Sequence, residues 1–355
     1  MLSHSYTRKT LPLMAAIGLL LAACGGGGDD DTGTSAPAGA QAGGSLEAVC
    51  EAAAQEDGEA VWYESSLPEQ TDQILQSFGQ TYSDVDVVHQ RITGGAGIGG
   101  LVTQELQAGA RTADLVTASN DIVAELAGRG HLLEMEPEDL GITDEELMPE
   151  PYAVHTTSTV PVLIYNTNLV NESDLEGSWE DLTDAQWAGK VTVWNRGGIV
   201  LSGLVAEWGE EQTREYVEEL AASNPKLNES TFAIAQEVGA GTSPIGLSFF
   251  HTTKEVQDSG APLETIVLDP VPVSELYSGV VAESPNTASA QCFLGWLVSE
   301  EGALAYEDAT FRGNHRIEAT DTAALLEGRT TSIIEFSEVA RAAELIAEYN
   351  EVLAQ

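Results

Sequence analysis

Two glycine-containing stretches hold residue types at a spacing that suits anion chemistry. Gly95-Ala96-Gly97-Ile98-Gly99-Gly100 fits G-x-G-x-x-G between an expected strand and an expected helix, a place where backbone N–H groups can cradle a pyrophosphate. A dinucleotide fingerprint belongs in the first strand-to-helix turn, with an acid closing the next strand. Here the pattern follows the second strand, and Asp114 begins a strand instead. The expectation that survives is a glycine loop, Thr93 to Ala96, bringing exposed backbone donors to a cleft edge. The second stretch is Trp194-Asn195-Arg196-Gly197-Gly198, with Arg196 between a strand end and an expected helix N-terminus. An arginine beside free backbone N–H groups clamps a carboxylate or a phosphate. The alternative is that Arg196 pairs with one of the abundant surface acids.

Signatures of turnover do not occur: there is no G-x-S-x-G, no H-E-x-x-H, no P-loop and no C-x-x-C. The histidines at 89, 131, 155, 251 and 315 are scattered singly, without metal-ligand spacing. They read as structural or solvated, except His251, which lies beside an expected cleft segment. Carboxylate pairs such as Glu210-Glu211 and Glu300-Glu301 belong to an acidic surface.

Such residues have to be positioned by a framework, and the hydrophobic pattern supplies an α/β one. Leu46, Val49, Cys50 and Ala53 recur at helical spacing behind a Ser45 cap. Ala60 to Tyr63 follows as an apolar strand, then a helix to Tyr82 and a strand from Val85 to Ile92. A helix (101–110), a strand (114–117) and a helix (122–129) continue the rhythm, which means a parallel sheet with helices on its faces. A second unit of similar style begins with the strand Val160 to Tyr165 and includes strands at 191–194 and 245–250. Two α/β lobes are the natural partition.

The 355 residues carry 57 acids against 14 Lys and Arg, a formal charge of −43. A surface this negative repels phosphate backbones and anionic headgroups, which argues against nucleic-acid binding and adsorption to membranes. It suits an exported protein in salty surroundings. Arg8 and Lys9 precede an apolar run ending in Leu21-Ala22-Ala23-Cys24. This resembles a bacterial lipoprotein signal: leader 1–23, lipid on Cys24, and a Gly-, Asp- and Ser-rich tether over 24–44 with no large apolar residue to fold it. Cys50 and Cys292 remain, an even count in an oxidising compartment. A disulfide between them would close a loop of more than two hundred residues; the alternative is two buried free thiols.

Val61-Trp62-Tyr63-Glu64-Ser65-Ser66-Leu67-Pro68, Phe78-Gly79-Gln80-Thr81-Tyr82 and Thr112-Ala113-Asp114-Leu115-Val116 resemble the opening of the extracellular solute-binding proteins of ABC importers. The similarity is to the ferric-iron-binding group and its relatives for thiamine, phosphonates and polyamines. It continues through Tyr165-Asn166-Thr167, Ser178 to Leu182, Trp187 to Val191 and Gly260-Ala261-Pro262, and ends with Pro285 to Ala288 and Phe293 to Gly302. The resemblance implies a type II periplasmic-binding-protein-like α/β fold of two lobes with a hinge and an interlobe ligand cleft. Lobe I is expected over 45–152 with 279–312, and lobe II over 153–278 with 313–355. It also implies a monomer that delivers a small solute to an ABC permease, without turnover or cofactor. An exported hydrolase on the same lobes and a sensory receptor are the alternatives.

The iron-binding members use two adjacent tyrosines where this chain has Phe249 and Phe250, between Ser248 and His251. Phenylalanine offers no oxygen, so tyrosinate coordination of ferric iron is lost, leaving Glu64 and His251 as weak metal candidates. An anionic organic solute or metal chelate packed against an aromatic wall fits better. Ligands of open α/β sheets sit beyond the carboxyl ends of strands. That singles out Glu64, Ser65, Ser66, Gly95, Ala96, Asn120, Asn195, Arg196, Gly197, Phe249, Phe250 and His251, with Tyr277 on the returning crossover facing the cleft.

Overall fold

The computed structural model describes residues 44–93 and 95–355; the expected leader, Cys24 and nearly all of the tether lie outside the described residues. Helix α1 (Leu46–Ala53) starts where Ser45 accepts from the Ala48 N–H at 3.2 Å. Strands β1 (Ala60–Glu64), β2 (Val87–Arg91) and β3 (Leu115–Ser119) alternate with α2 (Pro68–Thr81), α3 (Gly95–Gln107) and α4 (Asn120–Gly128). Then come β4 (Val154–Thr159), β5 (Pro161–Asn166) and β6 (Val191–Trp194), followed by α5 (Gly198–Gly203), α6 (Val205–Ala222), β7 (Lys226–Asn228) and α7 (Thr231–Gly239). The chain continues with β8 (Ile245–Phe249), α8 (Phe250–Asp258), β9 (Leu263–Ile266), β10 (Val271–Pro272) and β11 (Ser274–Val280). It closes with α9 (Thr287–Leu297), α10 (Glu300–Thr310), α11 (Asp321–Leu326), β12 (Thr331–Ser332) and α12 (Val339–Leu353).

The strands form two five-stranded sheets, ordered β2-β1-β3-β11-β4 and β7-β6-β8-β5-β9, and a small parallel pair of β10 with β12. In each five-stranded sheet, one strand returns antiparallel between its neighbours: β11 between β3 and β4, and β5 between β8 and β9. The chain changes sheet at Val160, between β4 and β5, and again at Val273, between β10 and β11. Hydrogen bonding therefore puts 154–159 and 274–278 in the first sheet, several residues from the expected lobe limits.

The central strands of each sheet are buried on both faces. Under the first, Trp62 donates Nε1–H to Thr117 Oγ1 at 2.8 Å and meets Phe293 edge-on at 5.2 Å, in the cluster that also holds Phe78, Trp296 and Tyr306. Cys50 of α1 and Cys292 of α9 are joined there by a disulfide. The second sheet packs Trp179, Leu201, Tyr216 and Phe249 against Leu345 and Tyr349 of α12. At the α9–α10 corner a Cβ on Gly302 would lie 1.9 Å from the Trp296 carbonyl oxygen, so only glycine allows the corner to close.

Candidate functional site

The sequence places Glu64 at the end of β1, and the fold buries its carboxylate almost completely. Oε1 accepts from Ser66 Oγ at 3.0 Å, Ser65 Oγ at 3.3 Å and Tyr306 Oη at 3.3 Å, while Oε2 accepts from the Ser66 N–H. Glu64 thus holds its own loop in shape, and these bonds engage much of its acceptor capacity. Arg312 Nη1 stands 3.8 Å from Oε1. It is delivered by Phe311, whose left-handed φ of 57° ends α10. Arg312 Nε is buried with no hydrogen-bond partner, and so is Nδ1 of His251, on the second residue of α8. Burial, then the charge of Arg312, holds the imidazole of His251 well below its ordinary pKa. Burial also lowers His89, against the opposing pull of Glu64.

Phe249 stacks on His251, with centroids 5.7 Å apart, and meets Trp194 edge-on at 5.9 Å. Beyond it lies a cavity of about 420 Å³. Its walls come from α4 and β11 on one side (Asn120, Asp121, Glu275), from β6, the loop after it and β8 on the other (Trp194, Arg196, Phe249), and from the C-terminal segment with α12. Arg196 is exposed, lies over the Trp194 ring at 5.2 Å and makes no ion pair with any described residue. Such placement over an indole face favours a cation while leaving the guanidinium N–H groups available.

Several expectations need correction. Gly95 and Ala96 open α3 and are not loop residues; Gly94 is outside the described residues. Within that helix a Cβ on Gly99 would come 3.0 Å from Ile122 Cγ2, so this glycine serves the approach of α3 to α4. The backbone donors beside Arg196 are already used: Asn195 N–H on Asn228 O, Gly197 N–H on Trp194 O, and Gly198 N–H on Asn350 Oδ1. The guanidinium alone remains of that clamp. Phe250 forms no wall with Phe249, because it begins α8 and faces a separate surface hollow with Lys254 and Leu263. Tyr277 does not face the cleft: it is buried against Phe336, its hydroxyl bonded to Glu275, and burial raises its pKa. Asn120 lines the cavity, but its Nδ2 is engaged by Ile334 O at 2.7 Å. Asn195 Oδ1 is buried without a partner.

Local spacing gave no sign of Arg312, or of the one group of three metal-capable side chains among the described residues, His155, Glu275 and His315. Both assemble from segments far apart in the chain. Burial is the main cause holding His155 and His315 at about 3, far below a free imidazole.

The model of the bacterial extracellular solute-binding protein family matches residues 63–304. Among solved structures, iron-bound HitA from Pseudomonas aeruginosa is similar with a TM-score of 0.69 at 19% identity, over 83% of this chain and 99% of HitA. AfuA from Actinobacillus pleuropneumoniae, solved with exogenous fructose-6-phosphate, scores 0.65 at 17% identity, over 84% of this chain and 99% of AfuA. IdiA (FutA) from Trichodesmium, in complex with iron and citrate, scores 0.65 at 18% identity, over 84% and 98%. Identities this low speak for a shared fold. No curated protein matches the sequence.

Proposed function

The chain belongs to the bacterial extracellular solute-binding protein family, and from that premise we propose that it is a lipid-anchored receptor that captures a small organic anion, or a metal chelate carrying one, and passes it to an ABC permease. One observation carries the choice of solute. Cations are scarce, with 14 Lys and Arg against 57 acids, yet Arg196 follows the end of β6 and Arg312, after α10, stands beside Glu64 at the end of β1. Arg312 keeps a buried, unpartnered Nε, and Arg196 lies over Trp194 and lines a cavity walled by both sheets. Buried polar atoms are almost always satisfied, so a donor without a partner is explained by a ligand that supplies one. Phosphate or carboxylate oxygens suit guanidinium donors and withstand the acidic surroundings only where such cations gather. The fructose-6-phosphate of AfuA and the citrate of IdiA belong to these two chemical classes.

The two lobes divide at the sheet changes near Val160 and Val273, and closure about these crossings would bring Arg312 and His251 onto the solute from opposite sides. The receptor binds and releases without turnover, acts as a monomer, and is held at the outer face of the membrane by lipid on Cys24 behind the cleaved leader 1–23. Among the described residues no helix is long and apolar enough to cross a membrane. The test is a thermal-shift screen of the full chain in high salt against sugar phosphates, phosphonates, ferric citrate, citrate, free ferric iron, thiamine and polyamines. At about 100 times its Kd a true solute adds roughly 2.7 kcal/mol. Stabilisation by an anion that is lost in Arg312→Ala supports the reading, and stabilisation by polyamines or thiamine alone rejects it.

A further inference from the structure

Three side chains from separate segments meet beside the crossings between the sheets. His155 comes from β4, Glu275 from β11, and His315 from the chain after α10. His155 Nδ1 is 3.7 Å and His315 Nε2 is 3.6 Å from the same carboxylate oxygen, Glu275 Oε1, and the three ligand atoms lie within 4.8 Å of one another. The other ring nitrogens decide what these atoms can do. His155 Nε2 lies 3.1 Å from Thr157 O, which can only accept, and 3.0 Å from Ser158 Oγ. The proton therefore sits on Nε2, and Nδ1 is a bare lone pair that is fully buried, has no hydrogen-bond partner and faces a carboxylate. Glu275 Oε1 already accepts from Arg316 Nε at 3.2 Å, but the Nδ1 lone pair that faces it has no donor. His315 Nδ1 lies 2.8 Å from Ser158 Oγ, a hydroxyl able to accept its proton.

We propose that His155 Nδ1, Glu275 Oε1 and His315 Nε2 bind a divalent transition ion of the zinc type. A tetrahedral ion with ligands at about 2.0–2.2 Å holds them about 3.4 Å apart, within a few tenths of an ångström of two of the observed separations. The hydrogen bond from His155 Nε2 to Thr157 O fixes that imidazole tautomer as a metal-bound histidine requires, and Ser158 Oγ orients His315. Glu275 also lines the 420 Å³ cavity, which sets the cluster beside that space. Arg316 donates Nε–H to Glu275 Oε1 at 3.2 Å and pairs with Glu146. Arg316 opposes any cation at this carboxylate, whereas the two imidazole ligands disfavour the oxygen-seeking calcium and magnesium and suit nitrogen-preferring ions.

The experiment is titration of the chelator-treated full chain with Co²⁺, followed by competition with Zn²⁺. One equivalent of Co²⁺ should bind with the intense visible absorption of four-coordinate cobalt, and Zn²⁺ should abolish it. Glu275→Gln and His315→Gln should each weaken binding by about tenfold or more. Because a buried variant can fail to fold, zinc-edge X-ray absorption of the unmutated protein gives a second reading: two imidazole nitrogens and one carboxylate oxygen in the first shell. Absence of binding at one equivalent, a six-oxygen shell, or unchanged affinity in folded Glu275→Gln overturns the proposal and leaves Arg316 as the cluster's resident cation.

Discussion

Arg312 Nη1 stands 3.8 Å from Glu64 Oε1, linking the loop after β1 to the residue that follows α10's left-handed end. The carboxylate meanwhile accepts from Ser65, Ser66 and Tyr306. The two residues have different work: Glu64 shapes the loop, and Arg312 retains an unpartnered Nε for a ligand.

Their substitutions should separate accordingly. Arg312→Ala should raise the Kd of the anionic solute about 10- to 100-fold, the equivalent of one charge-assisted hydrogen bond, with little loss of melting temperature. Glu64→Ala leaves the Ser66 N–H and Tyr306 hydroxyl without their acceptor and should destabilise the fold by about 1–3 kcal/mol. Calorimetric titration and thermal melts of both variants check this. Equal effects of the two on stability would mean that Arg312 is only a structural counterion.

The Cys50–Cys292 disulfide ties α1 to α9 across a sequence separation of 242 residues. Reduction, or Cys292→Ser, should lower unfolding stability by about 2–5 kcal/mol while leaving the solute Kd within about twofold, because the bond lies in the core under the first sheet, away from the cavity walls. Denaturant titrations with and without reductant measure it, and a large loss of affinity would contradict the separation of core from site.

The fold was legible where hydrophobic periodicity is local. The strand Ala60 to Tyr63, the helix over Cys50 and the β-α alternation follow from spacing alone, since burial on one face imposes it. What was not legible depends on contacts distant in sequence. The G-x-G-x-x-G pattern suggests a loop, yet Gly99 serves helix packing against Ile122. Tyr277 and His155 are cross-strand partners on β11 and β4, and a register shift at Leu276/Tyr277 decides which way their neighbours point. Arg312 has no local signature, because its importance comes from Glu64 and His251 on other segments.

Burial holds His251 and His89 below the ordinary imidazole pKa in the folded protein. Unfolded, both take up a proton near pH 6.5, so below that pH the unfolded chain binds more protons and is favoured. Their contribution is fully present above about pH 6.5 and is lost as the pH falls, at a slope of at most about 1.4 kcal/mol per pH unit for each. His155 and His315 add to the slope in the same direction. Melting temperatures between pH 7.5 and 4.5 should fall steadily, and His251→Gln should flatten the curve. A stability maximum below pH 5.5 would show that these groups are protonated in the fold.

The last prediction concerns iron. Phe249 lines the cavity and stacks on His251, whereas Phe250 faces a separate hollow beside Lys254. Adjacent residues at the β8–α8 junction therefore do not present a common pair of donors to one ion. Free ferric iron should give no thermal shift, and Phe250→Tyr should not create one, because the added hydroxyl opens onto the hollow. Arg196→Ala, by contrast, should weaken an anionic solute about tenfold or more without changing stability, since the guanidinium is exposed over Trp194 and holds no structural ion pair among the described residues. Titrations of the three proteins with ferric iron and with the stabilising anion decide the matter: iron binding gained in Phe250→Tyr would place that side chain in the cleft after all, and unaltered anion affinity in Arg196→Ala would move the solute to the Arg312 side of Phe249.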